Sequence, residues 1–264
     1  MSLSLQDVAW HRSVGQLIDT LDRPGFWLAL IRLLDEYVPT DSWVVLLFSD
    51  DRPHVLAVNP FEGEGPDPLY TDYVKGLYLL DPFYIANRES PKTGLFRLSD
   101  VAPECFNQTD YYKHYFTHYV VEDEVQYAVA LDDVRTVCVA LGSKKRFAPA
   151  QIALFDLMRP WVAGLMRQRM FFEGVLAEKA APTQTPHSQR GLEDAMERLG
   201  TPLTAREMDI GRLILSGHSN KGIASKLDIS IETVKSHRRN MYGKLKIKSQ
   251  SELFALFLKA QSDS

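Results

Sequence analysis

The sequence predicts an α/β (α+β) N-terminal domain built on an antiparallel sheet, linked to an all-α C-terminal domain of four helices. Three observations lead to this prediction. Residues 1–175 follow the order helix, helix, strands, helix, strands, helix. Residues 176–198 include a stretch, 180–191, with two prolines and no apolar periodicity, which indicates a linker. Residues 199–264 contain four helix-start signals.

The elements of the N-terminal domain are predicted from periodicity. Helical spacing of apolar residues covers 5–21 and 25–37, and β-branched and aromatic runs predict strands at 43–48 and 54–58. A Gly/Pro-rich loop at 60–68 precedes a predicted helix at 69–79. A hairpin is predicted over 125–131 and 136–142. A long helix over 149–173 follows it and begins at Pro149, because proline is favoured in the first turn of a helix. Helices on both faces of an antiparallel sheet indicate a GAF/PAS-like sensor domain, assigned to 1–175.

Charge is distributed unevenly along the chain. The net charge is −4, but residues 200–264 hold 11 Lys and Arg against 6 Asp and Glu, a net of +5, which leaves −9 on residues 1–199. A basic end on an acidic body is typical of a DNA-binding domain attached to a domain that does not bind DNA.

The same composition argues against several other classes. Cys105 and Cys138 have no CxxC spacing, which indicates a reducing compartment and no cysteine zinc site. No apolar run reaches about 18 residues and no signal-peptide pattern is present, so we expect a cytoplasmic protein with no membrane contact. HExxH, GxSxG, Walker A and GxGxxG motifs are absent from the sequence, so we expect no enzyme, cofactor or metal.

The C-terminal helices are marked by capping residues. Thr204 with Glu207 forms a capping box, and Gly217 is suited to end that helix. Ser219 and Ser230 cap the second and third helices across a three-residue turn, and Ser249 begins a further capping box. Two helices joined by a tight turn inside a four-helix unit predict a helix-turn-helix.

The third helix has one apolar and one polar face. Val234, Met241 and Leu245 fall on the apolar stripe. The opposite face carries the residues expected to reach base edges in the major groove, namely Glu232, Lys235, Ser236, Arg239 and Asn240. Phosphate or positioning contacts are expected from Ser219, Asn220, Lys221, Thr233, His237, Arg238 and Lys244.

These motifs resemble a known family. The run from LTARE at 203–207 through GHSNKGIASKLDISIETVKSHRRNMYGKLKIKSQSEL at 217–253 is similar to the LuxR-type helix-turn-helix of transcriptional regulators. The resemblance implies that Lys235, Ser236 and Arg239 face the bases. It also implies that the module binds double-stranded DNA at an inverted-repeat operator as a homodimer, often through the last helix, where Leu253, Leu256 and Phe257 are available. Three positions depart from the family pattern: Gly211 replaces Leu, Gly222 replaces Glu and Lys246 replaces Gly.

The sequence gives weaker indications of the signal to which the N-terminal domain responds. Asp50, Asp51, Asp100 and Lys144 superficially copy a phosphoacceptor receiver, but a receiver needs an alternating parallel β/α order. Residues 69–82 resemble the acyl-homoserine-lactone sensors, in which a Trp and a Tyr precede an Asp-Pro pair. Asp81-Pro82 matches that pattern, while Leu69 stands at the Trp position and a lactone anchor is lost.

We therefore expect a related pocket for another small molecule, with apolar walls and few polar groups. The candidate ligand residues are Trp43, Tyr73, Tyr78, Asp81, Phe96 and Tyr127. Asp81 is suited to an amine or amide donor, and the acidic residues at 122–124 either add to the site or lie in a solvated loop. The alternative is that many of the tyrosines belong to the ordinary core.

The sequence thus predicts a ligand-controlled DNA-binding regulator that acts as a homodimer, with RNA polymerase as a further partner. The long helix at 149–173 is a candidate dimer contact. The alternatives are a phosphorylation-controlled response regulator and a ligand-independent DNA-binding dimer.

Overall fold

The computed structural model describes residues 8–49, 53–58, 73–119, 122–173 and 203–262. The predicted linker at 176–198, both domain boundaries next to it and the loop at 60–68 lie outside the described residues. The division into domains at 1–175 and 199–264 therefore stays a prediction.

The N-terminal part is built on a five-stranded sheet in the order β2-β1-β5-β4-β3. Its strands are β1 (Ser42–Phe48), β2 (His54–Val58), β3 (Gly94–Arg97), β4 (Asp123–Ala130) and β5 (Thr136–Ser143). Each neighbouring pair is antiparallel. The predicted antiparallel sheet is confirmed, and this topology is incompatible with the parallel sheet of a phosphoacceptor receiver.

The predicted hairpin joins β4 to β5. Ala130 pairs with Thr136, and the connection contains Asp132. The Asp132 carboxylate accepts the backbone N–H groups of Val134 and Arg135 at 3.1 and 2.8 Å, as Asp does in tight turns.

The first face of the sheet packs against long helices. These are α1 (Val8–Ile18), α2 (Phe26–Asp35) and α6 (Pro149–Arg169). Alternate strand residues such as Val45, Val125 and Tyr127 point to this side and are buried among the helices. The Tyr127 hydroxyl donates to the Phe155 carbonyl of α6 at 2.7 Å, which satisfies the buried phenol.

The second face is covered by short helical segments from the middle of the chain. They are a 3₁₀ turn (Leu77–Leu80), α3 (Pro82–Glu89), α4 (Leu98–Val101), a 3₁₀ turn (Phe106–Gln108), a π turn (Tyr112–Phe116) and α5 (Thr117–Tyr119). Leu46, Phe48, Ala128 and Cys138 of the sheet contribute to this second core. Helical segments therefore cover both faces, as the GAF/PAS-like prediction requires.

The C-terminal part consists of α7 (Ala205–Leu215), α8 (Asn220–Leu227), α9 (Ile231–Leu245) and α10 (Gln250–Ser262). The side chains of Thr204, Ser219 and Ser230 accept N–H groups in the first turns of α7, α8 and α9 at 3.2, 3.0 and 3.0 Å. Gly217 follows α7 at φ +92°, in the left-handed region. The predicted four-helix unit is confirmed with its caps.

The connection between α9 and α10 begins with a residue whose backbone has a left-handed conformation. Lys246 has φ 57° and ends α9, at the position where the family pattern has glycine. A side chain at such an angle is strained relative to glycine. None of the helices in the described ranges is long and apolar enough to cross a membrane.

Candidate nucleic-acid interface and ligand site

The α9 helix presents a polar face to solvent. Val234 and Met241 are buried in the helical core. The predicted base-facing residues Glu232, Lys235, Ser236, Arg239 and Asn240 are all exposed. Lys235 donates to Glu232 at 2.7 Å, so this pair must rearrange if either side chain is to contact a base. The face offers amide, hydroxyl and guanidinium groups, which are the groups that read base edges.

The flanking residues of α9 differ in the contacts that their side chains make. The Thr233 hydroxyl lies 2.8 Å from the Ser230 hydroxyl, and the Arg238 guanidinium lies 5.1 Å above the Tyr242 ring. His237 is half-buried between these two positions on the helix. Thr233, His237 and Arg238 lie beside the exposed face, and their contacts with phosphate stay a prediction.

Lys244 has a second partner that sequence reasoning missed. Its ammonium donates at 2.6 Å to the carboxylate of Glu207, which is buried at the start of α7. Burial raises the pKa of Glu207, but the hydrogen bonds from Lys244 and Thr204 outweigh it and leave the pKa lowered. Lys244 therefore ties α9 to α7, and a phosphate contact would compete with this ion pair.

The start of α8 contacts the N-terminal part of the chain. The Glu104 carboxylate lies 3.4 Å from the Ser219 N–H and within ion-pair distance of His218. Lys221 is exposed and Asn220 is half-buried. The pKa of Glu104 is lowered by its own backbone N–H first, and then by the Ser219 N–H and the charges of His218 and Lys221.

Further contacts join the two parts of the protein. The Cys105 N–H donates to the Gly217 carbonyl at 2.9 Å, and a Cβ at Gly217 would lie 2.8 Å from the Phe106 Cα. At the edges of this contact, Lys226 pairs with Glu89 at 3.1 Å and the Ser251 hydroxyl donates to Asp110 at 3.1 Å. The helix-turn-helix therefore packs directly against the 104–110 segment.

The candidate ligand residues fall into two groups. Tyr73, Tyr78, Asp81 and Phe96 belong to the core of the second face of the sheet. Trp43 and Tyr127 belong to the core of the first face, under α1, α2 and α6. The sheet separates the two groups, so Trp43 and Tyr127 do not share a site with Asp81.

Asp81 is buried and hydrogen-bonded. Its carboxylate accepts the Tyr73 hydroxyl at 2.6 Å and the Phe83 N–H at 2.8 Å, which makes it the cap of α3. Burial raises its pKa, although these hydrogen bonds oppose the shift. Burial, followed by the Asp81 charge, also raises the pKa of Tyr73 well above its ordinary value.

Two further polar residues of the second face were not singled out. Glu124 and Gln126 are buried on β4, where the Gln126 amide donates to Glu124 at 3.0 Å. The Gln126 Oε1 atom is buried and has no hydrogen-bond partner among the residues that the structure describes. Burial, and then the charge of Asp81, raises the pKa of Glu124 to about 8.

The acidic run at 122–124 is therefore not a solvated loop. Glu122 is exposed near Arg146, Asp123 accepts the Phe147 N–H at 3.0 Å, and Glu124 points into the second core. The alternation of Glu124 and Gln126 with apolar Val125 and Tyr127 was the signal that could have placed both polar residues on one face.

The proposed dimer residues of α10 need a correction. Leu253 and Phe257 are buried at 0% and 1% exposure within the helical core, and Leu256 is half-buried. On the long helix and just after it, the apolar side chains of Leu157, Phe171 and Phe172 are exposed.

Comparisons with known proteins agree with this architecture. The family model described as "Bacterial regulatory proteins, luxR family" matches residues 201–257. NarL, a nitrate/nitrite response regulator protein of Escherichia coli, is 44% identical over 80 residues, which are 30% of this chain and 37% of NarL. The crystal structure of the VqsR LBD domain from Pseudomonas aeruginosa is 50% identical with a TM-score of 0.59. It covers 66% of this chain and 99% of the VqsR domain.

A longer match extends into the N-terminal part. An HTH-type transcriptional regulator encoded in the exeN 3' region of Aeromonas salmonicida is 30% identical over 183 residues, which are 67% of this chain and 93% of that protein. The helix-turn-helix geometry and this match lead to one conclusion. The chain belongs to the luxR family of bacterial regulatory proteins.

Proposed function

We propose that this LuxR-type transcriptional regulator binds an inverted-repeat operator as a homodimer, and that a small molecule bound on the second face of its sheet controls this binding. The observation that carries the DNA proposal is the exposed polar face of α9 with its capped, basic surroundings. Arg239 and Lys235 are proposed to read bases, with Ser236 and Asn240 beside them. Ser219, Asn220 and Lys221 at the start of α8 are proposed to contact phosphate.

The ligand proposal is supported by the second face. Asp81, Glu124 and Gln126 are polar groups buried among aromatic and aliphatic residues of this core. Few polar groups among apolar walls are typical of small-molecule sites. The likeness to the VqsR LBD domain, in which LBD denotes a ligand-binding domain, supports the same assignment. Tyr73 and Tyr78 stay in the proposed site, together with Phe96.

The homodimer is proposed to form through α6 and the residues after it, because exposed apolar side chains are concentrated there. A cytoplasmic location follows from the proposed binding to bacterial operators. Contact with RNA polymerase stays a prediction. A ligand-independent dimer is the second candidate, and ligand screening distinguishes it.

Substitutions in the full chain test the DNA interface. An operator is first selected from a random duplex pool with the wild-type protein. Arg239→Ala is expected to reduce discrimination between operator and mismatched duplexes, with ~1–3 kcal/mol lost at the base it reads. Lys221→Ala is expected to weaken binding to all duplexes and to reduce the salt slope by about 1.

Lys145→Ala, at an exposed site in the N-terminal part, is the matched control for the loss of one positive charge. The proposed interface is wrong if Arg239→Ala retains full discrimination, or if Lys145→Ala and Lys221→Ala change the salt slope equally.

Ligand control is tested by a thermal-shift screen of the full chain against amines, carboxylates, alcohols and acyl-homoserine lactones, followed by operator binding with each hit. A screen with no stabilising compound favours the ligand-independent dimer.

A further inference from the structure

Strand β4 places two hydrogen-bonding side chains above small neighbours. Glu124 pairs across the sheet with Gly142, and Gln126 pairs with Ala140 on one side and Phe96 on the other. Gly142 and Ala140 therefore place little side-chain volume beside Glu124 and Gln126 on β5. Both residues are buried beneath the segments that cover the second face.

The pair formed by Glu124 and Gln126 leaves one buried acceptor atom unpaired among the described residues. Gln126 donates its amide N–H to Glu124, and its buried carbonyl oxygen has no hydrogen-bond partner within the described ranges. Asp81 supplies a second carboxylate whose electrostatic influence reaches Glu124. Native proteins rarely leave a buried acceptor unpaired, so this atom indicates a missing donor.

Tyrosine rings pack near these polar side chains. The rings of Tyr111 and Tyr115 stack with centroids 5.1 Å apart, and those of Tyr73 and Tyr115 stack at 6.0 Å. Tyr111 is close enough to Asp81 and Glu124 that both carboxylates raise its pKa, after burial itself. Aromatic faces next to carboxylates are the environment that binds organic ammonium groups.

We propose that the second face binds an organic amine, whose ammonium group donates to the Glu124 carboxylate and to Gln126 Oε1 while its apolar part packs on the Tyr73–Tyr115–Tyr111 stack. This inference rests on the ligand control proposed above and specifies the ligand class. Asp81 remains the α3 cap and adds negative charge to the site. Glu124 is ionised in the complex, so the proton that it carries when buried without a cation is released to solvent.

Calorimetric titration of the full chain tests this proposal. The probes are 2-phenylethylamine and hexylamine, each compared with the alcohol that replaces the ammonium group by a hydroxyl. We expect each amine to bind at least ~10-fold more tightly than its alcohol, and Glu124→Gln to remove that preference. Glu122→Gln is the matched control, because this carboxylate is only two residues away but exposed.

The proposal is overturned if neither amine binds, if the alcohols bind as well as the amines, or if Glu124→Gln retains the preference. A neutral compound that stabilises the protein while both amines fail would leave ligand control standing and refute only the amine class. The absence of any stabilising compound would refute ligand control itself.

A separate observation concerns the contact between Glu104 and α8. A Cβ at Gly222 would lie 2.9 Å from the Glu104 Oε1 atom, so any other residue at this position would require the exposed Glu104 carboxylate to move. The family pattern has Glu at that position, which would meet Glu104 with a bulky, like-charged side chain. The substitution of Gly222 for Glu therefore has a specific structural counterpart in the N-terminal part.

The location of this carboxylate matters for DNA binding. Glu104 lies at the N-terminal end of α8, where helix N–H groups and the helix dipole favour an anion. The proposed phosphate contacts Ser219, Asn220 and Lys221 are at the same end. We infer that Glu104 occupies the place of a DNA phosphate, so that the packed arrangement of the two parts opposes operator binding.

Operator titration of the full chain tests the second inference. Glu104→Gln is expected to tighten operator binding by roughly 2- to 10-fold, because an exposed carboxylate interacts only weakly with the start of α8 but competes directly with phosphate. Glu122→Gln makes the same change in net charge at a distant exposed site and is expected to have a smaller effect. Equal effects of Glu104→Gln and Glu122→Gln, or weaker binding by Glu104→Gln, would overturn this inference.

Discussion

Glu124 is expected to make the stability of the N-terminal part depend on pH. Its pKa rises from 4.5 to about 8 in the folded protein, because burial and the charge of Asp81 disfavour the carboxylate. The charged and titratable groups that act on it or respond to it are Asp81, Asp123, Tyr111 and Cys138. The folded state thus holds a proton that the unfolded state releases above pH 4.5. Stability from this group is present at acidic pH and is lost as pH rises to about 8.

The magnitude follows from the two pKa values. Each pKa unit corresponds to ~1.36 kcal/mol, so a shift from 4.5 to about 8 allows a loss of up to ~5 kcal/mol across this interval. The loss is complete once pH exceeds the folded-state value. Glu124→Gln removes the titrating group, keeps its shape and is expected to abolish this contribution.

Urea unfolding followed by tryptophan fluorescence measures the effect. All four tryptophans, at 10, 27, 43 and 161, lie in the N-terminal part, so the signal reports on the region that contains Glu124. The free energy of unfolding of wild type minus that of Glu124→Gln is expected to fall steadily between about pH 5 and about pH 8. Glu122→Gln should retain the wild-type slope. A difference between wild type and Glu124→Gln that stays constant with pH would refute the reasoning.

Two further predictions concern the helix-turn-helix. Lys246→Gly is expected to stabilise the helix-turn-helix by about 1 kcal/mol, because glycine adopts φ 57° without strain. Calorimetric melting of the full chain measures this effect, and an unchanged or lower melting temperature would contradict it. Lys244→Met is expected to destabilise the module by about 2 kcal/mol, because it leaves buried Glu207 without its cation. The same melting experiment measures this loss, and unaltered stability would show that the ion pair is unimportant.

The helix-turn-helix could be predicted closely because its signals are local. Thr204, Ser219 and Ser230 each act within three residues of the N–H groups that they cap, so their spacing alone defines the helix starts. The apolar stripe of α9 depends only on helical periodicity. The exposed face of this helix followed from the same pattern.

The ligand site could be predicted only in part. Asp81 and Tyr73 were both predicted as candidate ligand residues, and the hydrogen bond between them is seen only in the structure. The alternation of Glu124 and Gln126 with Val125 and Tyr127 shows that these pairs lie on opposite faces of β4. It does not show which face packs against Asp81, so the sequence alone could not exclude Tyr127 from the Asp81 site. In the sequence Glu124 stands at the end of an acidic run, and no local pattern shows that the strand begins at Asp123.

The sequence by itself determined the helical caps, the basic α9 face and the antiparallel hairpin, since each depends on residues close together along the chain. Only the tertiary structure decided which side chains share a site. Asp81 approaches Glu124 because the segments after β2 fold over β4, and Glu104 meets Gly222 across 118 positions. Such contacts depend on strand order and on the packing of one part against the other, which no local periodicity encodes.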